Sequence, residues 1–588
     1  MAHTIDQFMW GFQSHFRIGA EVRAESLFAA LDPALDPVVL LVGRLGTDRD
    51  DRHQLCVDPE DGDILVDALA VLEGHVQAAL EDDPESRMLQ SHPRAERYRQ
   101  DRVAGNGFAQ GVARTLNEAR PDRQFFACFP QRVGDYLVTV VLHVDRVAYD
   151  RHFTLAHAEY LHRFNVATSL VDAAVTGFLA DCSGALRDPD AGEVRFPDRP
   201  VQDALRDAGR ALMNNPGHRL GKIAGNPQLF DAACEVAALR YEGAEGHGQM
   251  LITGEDRAGV DVALSFQDVV PMRRRRAVRK ILEMASEDLS ALGTPQGIYG
   301  LGRIDDNYNR SAENVFAIVF LGRNAWELRH ADRPLMRVQD GVPTLPRAPV
   351  SRASFEFAVE RVFGKENDAD VDQLWEAMTA AREQRHGTLY VVSSGAVTEA
   401  QRLAGQCTAV EPVPLTRDLV KSITAIDGAV LVDPRGVCHA IGAILDGMAV
   451  TGGDSGRGSR YNSALRYLET ARSEFNHQTL VLVVSEDGMV DLLPTLRPPM
   501  CRSEMETRVE TLRRLASQDQ PSRNLFMRTE GWLRSHGFYL DSSTCDKVNR
   551  LIDQIETALR EKDEGATRII RAPLAPHPDF DSACILDD

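Results

Sequence analysis

Short apolar segments that alternate with amphipathic segments are the strongest constraint on how this chain folds, and they are clearest between residues 346 and 500. The segments "GTLYVVS", "GAVLVDPRG" and "TLVLVVSEDG" have apolar centres rich in β-branched residues, which is typical of strands buried on both faces. Helical patterns such as "DVDQLWEAMTAAREQ" and "TRDLVKSITAI" separate them. The alternation predicts a mixed β-sheet flanked by helices.

The whole chain is predicted to be an α/β multidomain protein. Its 588 residues are too many for one ordinary domain, and two Pro-rich stretches, "LRDPDAGEVRFPDRPVQ" and "GVPTLPRAPVS", interrupt the alternating pattern. We therefore expect α/β domains over residues 1–200, 201–345 and 346–500, and a helical extension over residues 501–588.

The acidic composition argues against several classes of partner. The chain has 66 Lys and Arg against 87 Asp and Glu, a formal net charge of −21. We expect neither a broad nucleic-acid surface nor a membrane surface, because binding to polyanions needs positive patches. The basic run from Met272 to Lys280 fits a solvated helix face or a strip of salt bridges.

Three further features predict a cytoplasmic location. No N-terminal segment has the pattern of a signal peptide, and the apolar runs are far shorter than the ~20 residues of a membrane helix. The nine cysteines are scattered and form no C-x-x-C pair, which argues for reduced thiols and against a zinc ribbon or a disulfide framework.

Regions 201–345 and 346–500 share a pattern that suggests an internal repeat. In each region a His-Gly pair precedes a strand, so that "EGHGQMLIT" aligns with "QRHGTLYVV". In each region a Val-Pro pair follows at a similar distance and precedes a basic helix. Chance similarity is the alternative. If the repeat holds, region 201–345 is a degenerate copy that lacks the chemical motifs of the third domain, as a sensing or regulatory copy would.

Two motifs in region 346–500 carry residues that can bind a nucleotide. Asp427 and Gly428 come at the start of a predicted strand, where a carboxylate can hold a divalent cation close to a ligand. Gly458, Ser459 and Arg460 precede the helix "YNSALRYLE". Ser459 can cap that helix and the free N–H groups can meet phosphate oxygens. Arg460 can bind a phosphate with its planar fork.

A third motif follows the strand "TLVLVV". Glu486 is a carboxylate next to a buried strand, where it is unexpected unless it is paired or bound to a metal. Each motif taken alone has an ordinary structural explanation. Asp427 fits an Asp-Gly turn that opens a strand, Arg460 fits a surface residue on a capped helix, and Glu486 fits a strand end before a turn.

Together, and in this order, the motifs resemble the diadenylate cyclase domain family, known from DNA-integrity scanning checkpoint proteins. The family's Asp-Gly-Ala motif is intact here and ends at Ala429. Its Gly-Thr-Arg-His-Arg motif is similar to residues 458–462, in which Tyr461 and Asn462 replace the His and the second Arg. Its strand ending in Ser-Glu is matched by Ser485 and Glu486. The resemblance covers about residues 375 to 495.

The resemblance implies a nucleotidyltransferase that condenses two ATP into the second messenger cyclic di-AMP and releases pyrophosphate, with Mg²⁺ or Mn²⁺ as cofactor. Asp427 would activate the 3′-hydroxyl or bind the metal with Glu486, and Arg460 would stabilise phosphate charge. In the family a leucine after the strand similar to "CHAIGAIL" lines the adenine pocket. The nucleotide-binding residues implied here are Gly428, Ala429, Leu445, Gly458, Ser459, Tyr461, Asn462 and Ser485.

The same resemblance implies a homo-oligomer, at least a dimer, because two domains that each hold one ATP must face each other. Residues 1–345 resemble a sensor module that sets how the cyclase domains meet. Two alternatives remain. A nucleotide sensor without turnover is one, because Asn462 cannot supply the positive charge of the family's second Arg. A cyclase that makes another cyclic dinucleotide is the other.

Overall fold

The structure of the chain is a computed structural model, and it divides into two compact units, Met1–Leu345 with Pro499–Asp588, and Pro346–Pro498. Within the described residues no helix is long and apolar enough to cross a bilayer. The structure describes residues 9–46, 53–59, 69–156, 166–188, 190–193, 199–220, 228–240, 247–285, 289–330, 333–346, 350–364, 368–382, 387–424, 426–448, 458–484, 490–494, 496, 500–518, 521–560, 572–577, 580 and 584–586.

The first sheet, in the first unit, has the strand order β2-β1-β5-β3, with β4 paired to β5, and every pairing is antiparallel. Helices cover both of its faces, which explains why β1 and β5 are apolar almost throughout. Its elements are α1 (Gln13–Leu31), β1 (Val38–Leu45), β2 (Leu55–Asp58), α2 (Leu72–Asp82), α3 (Pro93–Ala119), β3 (Arg123–Ala127), β4 (Gln131–Val133), β5 (Tyr136–Asp145), α4 (Arg146–Asp150) and α5 (Leu170–Ala185).

The second sheet, also in the first unit, has eight strands in the order β13-β12-β11-β10-β6-β8-β9-β7. One hydrophobic cluster runs from the first sheet through α5 and the helices that follow it to this sheet. Its elements are α6 (Val201–Arg219), α7 (Gln228–Ala238), β6 (His247–Ile252), β7 (Val260–Pro271), α8 (Arg275–Leu282), β8 (Ser290–Thr294), β9 (Gly297–Ile304), β10 (Phe316–Gly322), β11 (Ala325–His330), β12 (Arg333–Gln339) and β13 (Val342–Thr344).

The second unit is built on the third sheet, whose order is β15-β17-β16-β14-β18-β19. The expectation of α/β architecture with mixed sheets flanked by helices is confirmed. The elements of this unit are α9 (Arg352–Phe363), α10 (Val371–Arg382), β14 (Thr388–Ser393), α11 (Ala396–Arg402), β15 (Thr408–Pro414), α12 (Arg417–Ile423), β16 (Ala429–Val432), β17 (Val437–Ala443), α13 (Gly458–Ser473), β18 (Thr479–Val484) and β19 (Val490–Leu493).

Six strands of the second sheet repeat the topology of the third sheet. The order β7-β9-β8-β6-β10-β11 corresponds to β15-β17-β16-β14-β18-β19. Among the described strands of each sheet one pair is parallel, β6 with β8 and β14 with β16, and the two pairs occupy the same place. Even the irregularities coincide. Tyr299 in β9 and His439 in β17 are each skipped by the register of both neighbouring strands. The two sheets therefore share both a strand order and the position of a bulge.

The two copies differ on one face of the sheet. In the third sheet α11 follows β14 and α13 follows β17, and both helices pack on the cluster that contains Leu389 and Leu431. In the second sheet the corresponding connections are residues 253–259 and 305–315, all of which are described. They contain turns and a single 3-10 turn, Arg310–Ala312, but no α-helix. The second sheet therefore lacks the counterpart of α13, the helix that carries Arg460.

The C-terminal residues form a small helical cluster with its own core. The helices are α14 (Arg502–Ala516), α15 (Arg523–Ser535) and α16 (Ser542–Arg560). A short parallel pair, β20 (Met500–Cys501) and β21 (Ile585–Leu586), accompanies them. The hydrophobic cluster that joins the three helices includes Leu512, Leu533 and Val548, all fully buried.

Candidate functional site

The candidate site lies at one edge of the third sheet. Because β14 and β16 run parallel while β17 and β18 run antiparallel to them, the starts of β14 and β16 share an edge with the ends of β17 and β18. Asp427 and Gly428 immediately precede β16, and Leu445 follows β17 by two residues. Ser485 and Glu486 follow β18 directly in sequence but lie outside the described residues.

Arg460, in the first turn of α13, reaches this edge. Its Nη2 atom lies 3.4 Å from Oδ1 of Asp427. Its guanidinium also packs over Gly387, because a Cβ atom built there would lie 2.7 Å from Nη1 of Arg460 and 2.9 Å from the carbonyl oxygen of Val484. The structure therefore brings two of the three predicted motifs together. They lie next to Val484, the residue that directly precedes the third motif.

Asp427 and Arg460 differ in exposure. The Asp427 side chain is 91% exposed, whereas the Arg460 side chain is 31% exposed. An exposed ion pair of this length contributes little to stability. The arrangement leaves a carboxylate open to solvent beside a partly sheltered cation, at the N-terminal end of a helix of four turns or more, where backbone N–H groups favour anions.

The Asp-Gly pair has a backbone reason as well as a chemical one. Gly428 has φ +108°, a conformation that side chains other than glycine rarely adopt, and a Cβ there would lie 2.5 Å from the backbone carbon of Gly442. Gly442 also has a positive φ, +62°. The start of β16 and the end of β17 can therefore approach this closely because position 428 is glycine, in the turn that presents Asp427.

Three of the predicted nucleotide-binding residues lie on α13 or in the cluster beneath it, and the structure contradicts the expected capping role of Ser459. The helix α13 already includes Gly458, so Ser459 is exposed within the first turn and is not the cap; the cap position falls outside the described residues. Leu445 is 9% exposed and packs in the core cluster beneath α13, since it lies between the sheet and that helix. Tyr461 is half-buried against the same cluster.

Two more predicted residues are placed by the structure. Ala429 is fully buried at the start of β16, and Asn462 is half-buried in α13, where its carbonyl oxygen accepts a hydrogen bond from Nε of Arg466.

The sequence interpretation missed the apolar side chains that the structure does expose at this edge. These are Ile426, 49% exposed, Ile444, 63% exposed, and Met448, 75% exposed. Ile426 and Ile444 directly precede Asp427 and Leu445 in the sequence, and this proximity could have identified them as residues of the site.

The carboxylates at this site fit a divalent cation that is coordinated mainly by phosphate oxygens of a bound nucleotide and by water. Mg²⁺ is commonly bound by one or two carboxylates together with phosphate oxygens and water. Asp427 provides one accessible carboxylate, while the second predicted ligand, Glu486, lies outside the described residues. Within the described part of the chain no group of three or more His, Cys, Asp or Glu side chains is arranged to hold a metal without such help.

Comparison with known proteins assigns the first half of the chain. Residues 9–213 match the family model described as "Probable sensor domain DACNG", and residues 227–332 match the one described as "Probable sensor domain DACNH". The regions of the first two sheets are therefore similar to probable sensor domains. The second match spans β6 to β11, the strands that repeat the topology of the third sheet.

Two solved structures are similar to part of the chain. A double mutant of DacA from Staphylococcus aureus has 18% identity and a TM-score of 0.17 over 21% of this chain and 78% of that one. A hypothetical membrane spanning protein from Bacillus cereus has 24% identity and a TM-score of 0.20 over 24% of this chain and 68% of that one. TM-scores this low do not define the fold. No curated protein matches the chain.

Proposed function

We propose that residues 346–498 form a nucleotidyltransferase that condenses two ATP into cyclic di-AMP and releases pyrophosphate, under control of the N-terminal sensor-like domains. The observation that carries the proposal is the convergence of Asp427 and Arg460 at 3.4 Å, at the start of a phosphate-favouring helix. The two sensor-domain matches support it, because domains of that kind accompany diadenylate cyclase domains.

Each residue has a defined task in the proposed reaction. Arg460 and the first N–H groups of α13 bind the phosphates of one ATP and stabilise the charge that builds up on them. A bond forms between the 3′-oxygen of the other ATP and the α-phosphorus, while the bond from that phosphorus to pyrophosphate breaks. Asp427 orients the attacking 3′-hydroxyl, whose proton passes to the carboxylate or through it to water. A second, equivalent transfer closes the ring.

The remaining roles belong to the cation, the base and the second subunit. Bound Mg²⁺ or Mn²⁺ would be held by Asp427 and Glu486 and would neutralise phosphate charge. The base lies against the segment after β17, near Ile444 and Leu445. Two sites must face each other, so the active species is a homo-oligomer, at least a dimer.

A nucleotide sensor without turnover is the second candidate. Two features favour it: Asn462 stands where the family has a second Arg, and Tyr461 packs against the core cluster. Among the residues that the structure describes, the first turn of α13 then brings one cation, Arg460, to the site, where the related family has more. Loss of one charged donor at a developing charge typically costs about 10²–10³ in rate.

One assay separates the candidates. Full-length protein is incubated with each nucleoside triphosphate and with all four, with Mg²⁺ or Mn²⁺, and products are identified by liquid chromatography and mass spectrometry. We expect cyclic di-AMP from the wild type and none from Asp427→Asn. A different cyclic dinucleotide would keep the mechanism and change the substrate. ATP binding without product, at protein concentrations that allow dimers, would rule out the cyclase and favour the nucleotide sensor.

The chain offers a matched control for this assay. Arg435 and Asp368 form an exposed ion pair in the same unit, with side chains 66% and 78% exposed, and Arg435 lies in the turn from β16 to β17. That turn is at the opposite edge of the sheet from Asp427. Asp368→Asn therefore removes the same charge from an exposed Asp–Arg pair, and we expect it to leave product formation unchanged.

A further inference from the structure

The second unit contains a buried carboxylate to which the proposed reaction gives no task. Glu399, on α11, is 1% exposed. It accepts hydrogen bonds from Nε of Arg402 at 3.0 Å and from the hydroxyl group of Tyr467 at 3.0 Å. Burial of a carboxylate is costly unless it is paired and hydrogen-bonded, and here both conditions are met. Glu399 therefore links α11 to α13, the helix that carries Arg460.

Arg402 is shared between this buried carboxylate and a second, more exposed one. Its Nη1 and Nη2 atoms donate to the two carboxylate oxygens of Asp446, each at 2.7 Å. The hydrogen bonds from Arg402 lower the pKa of Asp446, and the bonds to Asp446 and Glu399 raise the pKa of Arg402. Both groups therefore stay charged at neutral pH. A planar guanidinium can bind one carboxylate with two parallel hydrogen bonds while it binds a second one through Nε, whereas an ammonium lacks the fork for such a bidentate pair.

Asp446 lies in the segment 444–447, which follows β17 at the edge of the candidate site. Two backbone contacts hold this segment close to its neighbours. The N–H group of Ile444 donates to the carbonyl oxygen of Gln406 at 3.0 Å. A Cβ atom on Gly447 would lie 2.6 Å from the carbonyl oxygen of Arg466 in α13. The segment is thus packed between the end of α11 and the middle of α13.

The same network reaches the phosphate side of the site. Tyr467 is fully buried and lies seven residues after Arg460, which is close to two turns of α13, so both side chains leave the same side of the helix. The bond from Tyr467 to Glu399 fixes that side relative to α11. Arg402 and Glu399 consequently connect the two parts of the site, the segment 444–447 and the helix α13.

We propose that Arg402 is a positioning residue of the nucleotide site, which sets the distance between the segment 444–447, through Asp446, and the helix α13, through Glu399 and Tyr467. This inference rests on the proposed function of the same site. It assigns separate effects to the two arms of the network. The arm to Asp446 positions the segment beside the base, and the arm to Tyr467 positions the helix that carries Arg460.

The test uses the full-length protein and one variant for each arm. Asp446→Ala breaks the outer arm and leaves Glu399 paired with Arg402. We expect it to raise the KM for ATP about tenfold with kcat changed less than threefold, since ground-state binding is lost. Tyr467→Phe breaks the inner arm, and we expect kcat to fall about tenfold with a smaller change in KM, because Arg460 is displaced from the reacting phosphate. Arg402→Lys should show both defects.

Hydrogen exchange supplies a readout that does not depend on turnover. In Asp446→Ala the segment loses its bonds to Arg402, so the amide of Ile444, which donates to Gln406, should exchange faster, while β14 and β18 stay protected. The matched control is Asp368→Ala, which removes the exposed carboxylate that pairs with Arg435 at the opposite edge and should change neither exchange at Ile444 nor kinetics.

The outcomes distinguish a failure of the positioning role of Arg402 from a failure of the proposed function. Unchanged exchange at Ile444 in Asp446→Ala would show that Arg402 does not hold the segment. Faster exchange with unchanged KM and kcat would show that the segment is held but is not part of the site, and either result overturns the inference. If the wild type itself neither binds nor converts ATP, the proposed function fails, and the positioning role fails with it.

Discussion

Glu313 and Arg219 form a nearly buried ion pair at 2.7 Å, with side chains 10% and 8% exposed. Glu313 lies in the connection 305–315, which takes the place of α13 in the second sheet, and Arg219 ends α6. Both carboxylate oxygens of Glu313 also accept from the backbone N–H group of Ala156, which follows the first sheet. The connection that takes the place of α13 thus ties the second sheet to the first.

Removal of the Glu313 carboxylate should destabilise the first unit. Glu313→Ala leaves the guanidinium of Arg219 buried without its charged partner, and such losses cost about 3 kcal/mol. Denaturant titration of the full chain should show the transition of this unit shifted to lower denaturant. Asp306→Ala, which removes an exposed carboxylate from the same connection, should change the free energy of unfolding by less than about 0.5 kcal/mol. Equal effects of the two variants would contradict the assignment.

His330 predicts how the stability of this unit depends on pH. Its side chain faces Glu313, Arg219, Arg333 and Arg310, and burial lowers its pKa from the ordinary value of 6.5. The unfolded chain therefore binds a proton near pH 6 that the folded chain does not. Stability is then complete above about pH 6.5 and falls as the pH drops below that value.

The pH prediction can be measured as the thermal midpoint of the full chain between pH 7.5 and pH 5.5. We expect the midpoint to fall on acidification, and His330→Gln should make the fall smaller, because the variant has no imidazole to protonate. His218 also has a pKa lowered by burial, so the double variant should show a smaller fall still. A His330→Gln profile parallel to that of the wild type would rule out this histidine as the cause.

The strands of the third sheet could be predicted from the sequence because each is a continuous apolar segment between polar turns. The prediction was wrong where local pattern and tertiary pairing disagree. The residue pattern of "RRRRAVRKILEMASEDLSAL" predicts one continuous helix, but α8 ends at Leu282 and Ser290 begins β8. β8 becomes a strand because it pairs in parallel with β6, a contact that no local pattern reveals.

Two glycine-rich stretches also have structural explanations. The stretch "GIYGLGR" lies in β9, where a Cβ on Gly300 would lie 2.2 Å from the carbonyl oxygen of Leu264 in β7. "GNGFAQG" lies within α3, where a Cβ on Gly111 would lie 2.5 Å from the side chain of Val76 in α2. Close backbone approach, rather than ligand binding, accounts for these glycines.

The His-Gly match correctly pairs the strands β6 and β14, but it aligns their residues one position out of register. The His-Gly pairs align Met250 with Leu389. The parallel pairings instead make Met250, opposite Ala291, equivalent to Tyr390, opposite Val430. Met250 and Tyr390 both face the helices that precede the parallel partner strands, whereas Leu389 faces α13. A shift of one residue moves a strand's side chains to the other face, so only the sheet could reveal the correct alignment.

The missing helix predicts one nucleotide per chain rather than two. The second sheet repeats the strand order of the third sheet but has no α-helix at residues 305–315 that could present N–H groups and an arginine. Equilibrium dialysis with ATP at saturating concentration should give about one site per chain. Arg460→Ala should remove that site, whereas Arg323→Ala, an exposed arginine just after β10 at the equivalent edge, should not. A second site that survives Arg460→Ala would assign nucleotide binding to the copy.

Gly387 should be required for activity through the space that it leaves for Arg460. In Gly387→Ala the new Cβ atom would lie 2.7 Å from Nη1 of Arg460 and 2.9 Å from the carbonyl oxygen of Val484, so the guanidinium must move away from Asp427. Displacement of a phosphate-binding group by about 1 Å can cost roughly 10² in rate. The overpacking should also cost roughly 1–3 kcal/mol of stability.

Gly405→Ala is the matched control, because a Cβ there meets nothing within 4 Å. The assay is cyclic dinucleotide formation at a temperature where both variants are folded. Full activity in Gly387→Ala would mean that the contact between Arg460 and this edge of the sheet is not used in catalysis.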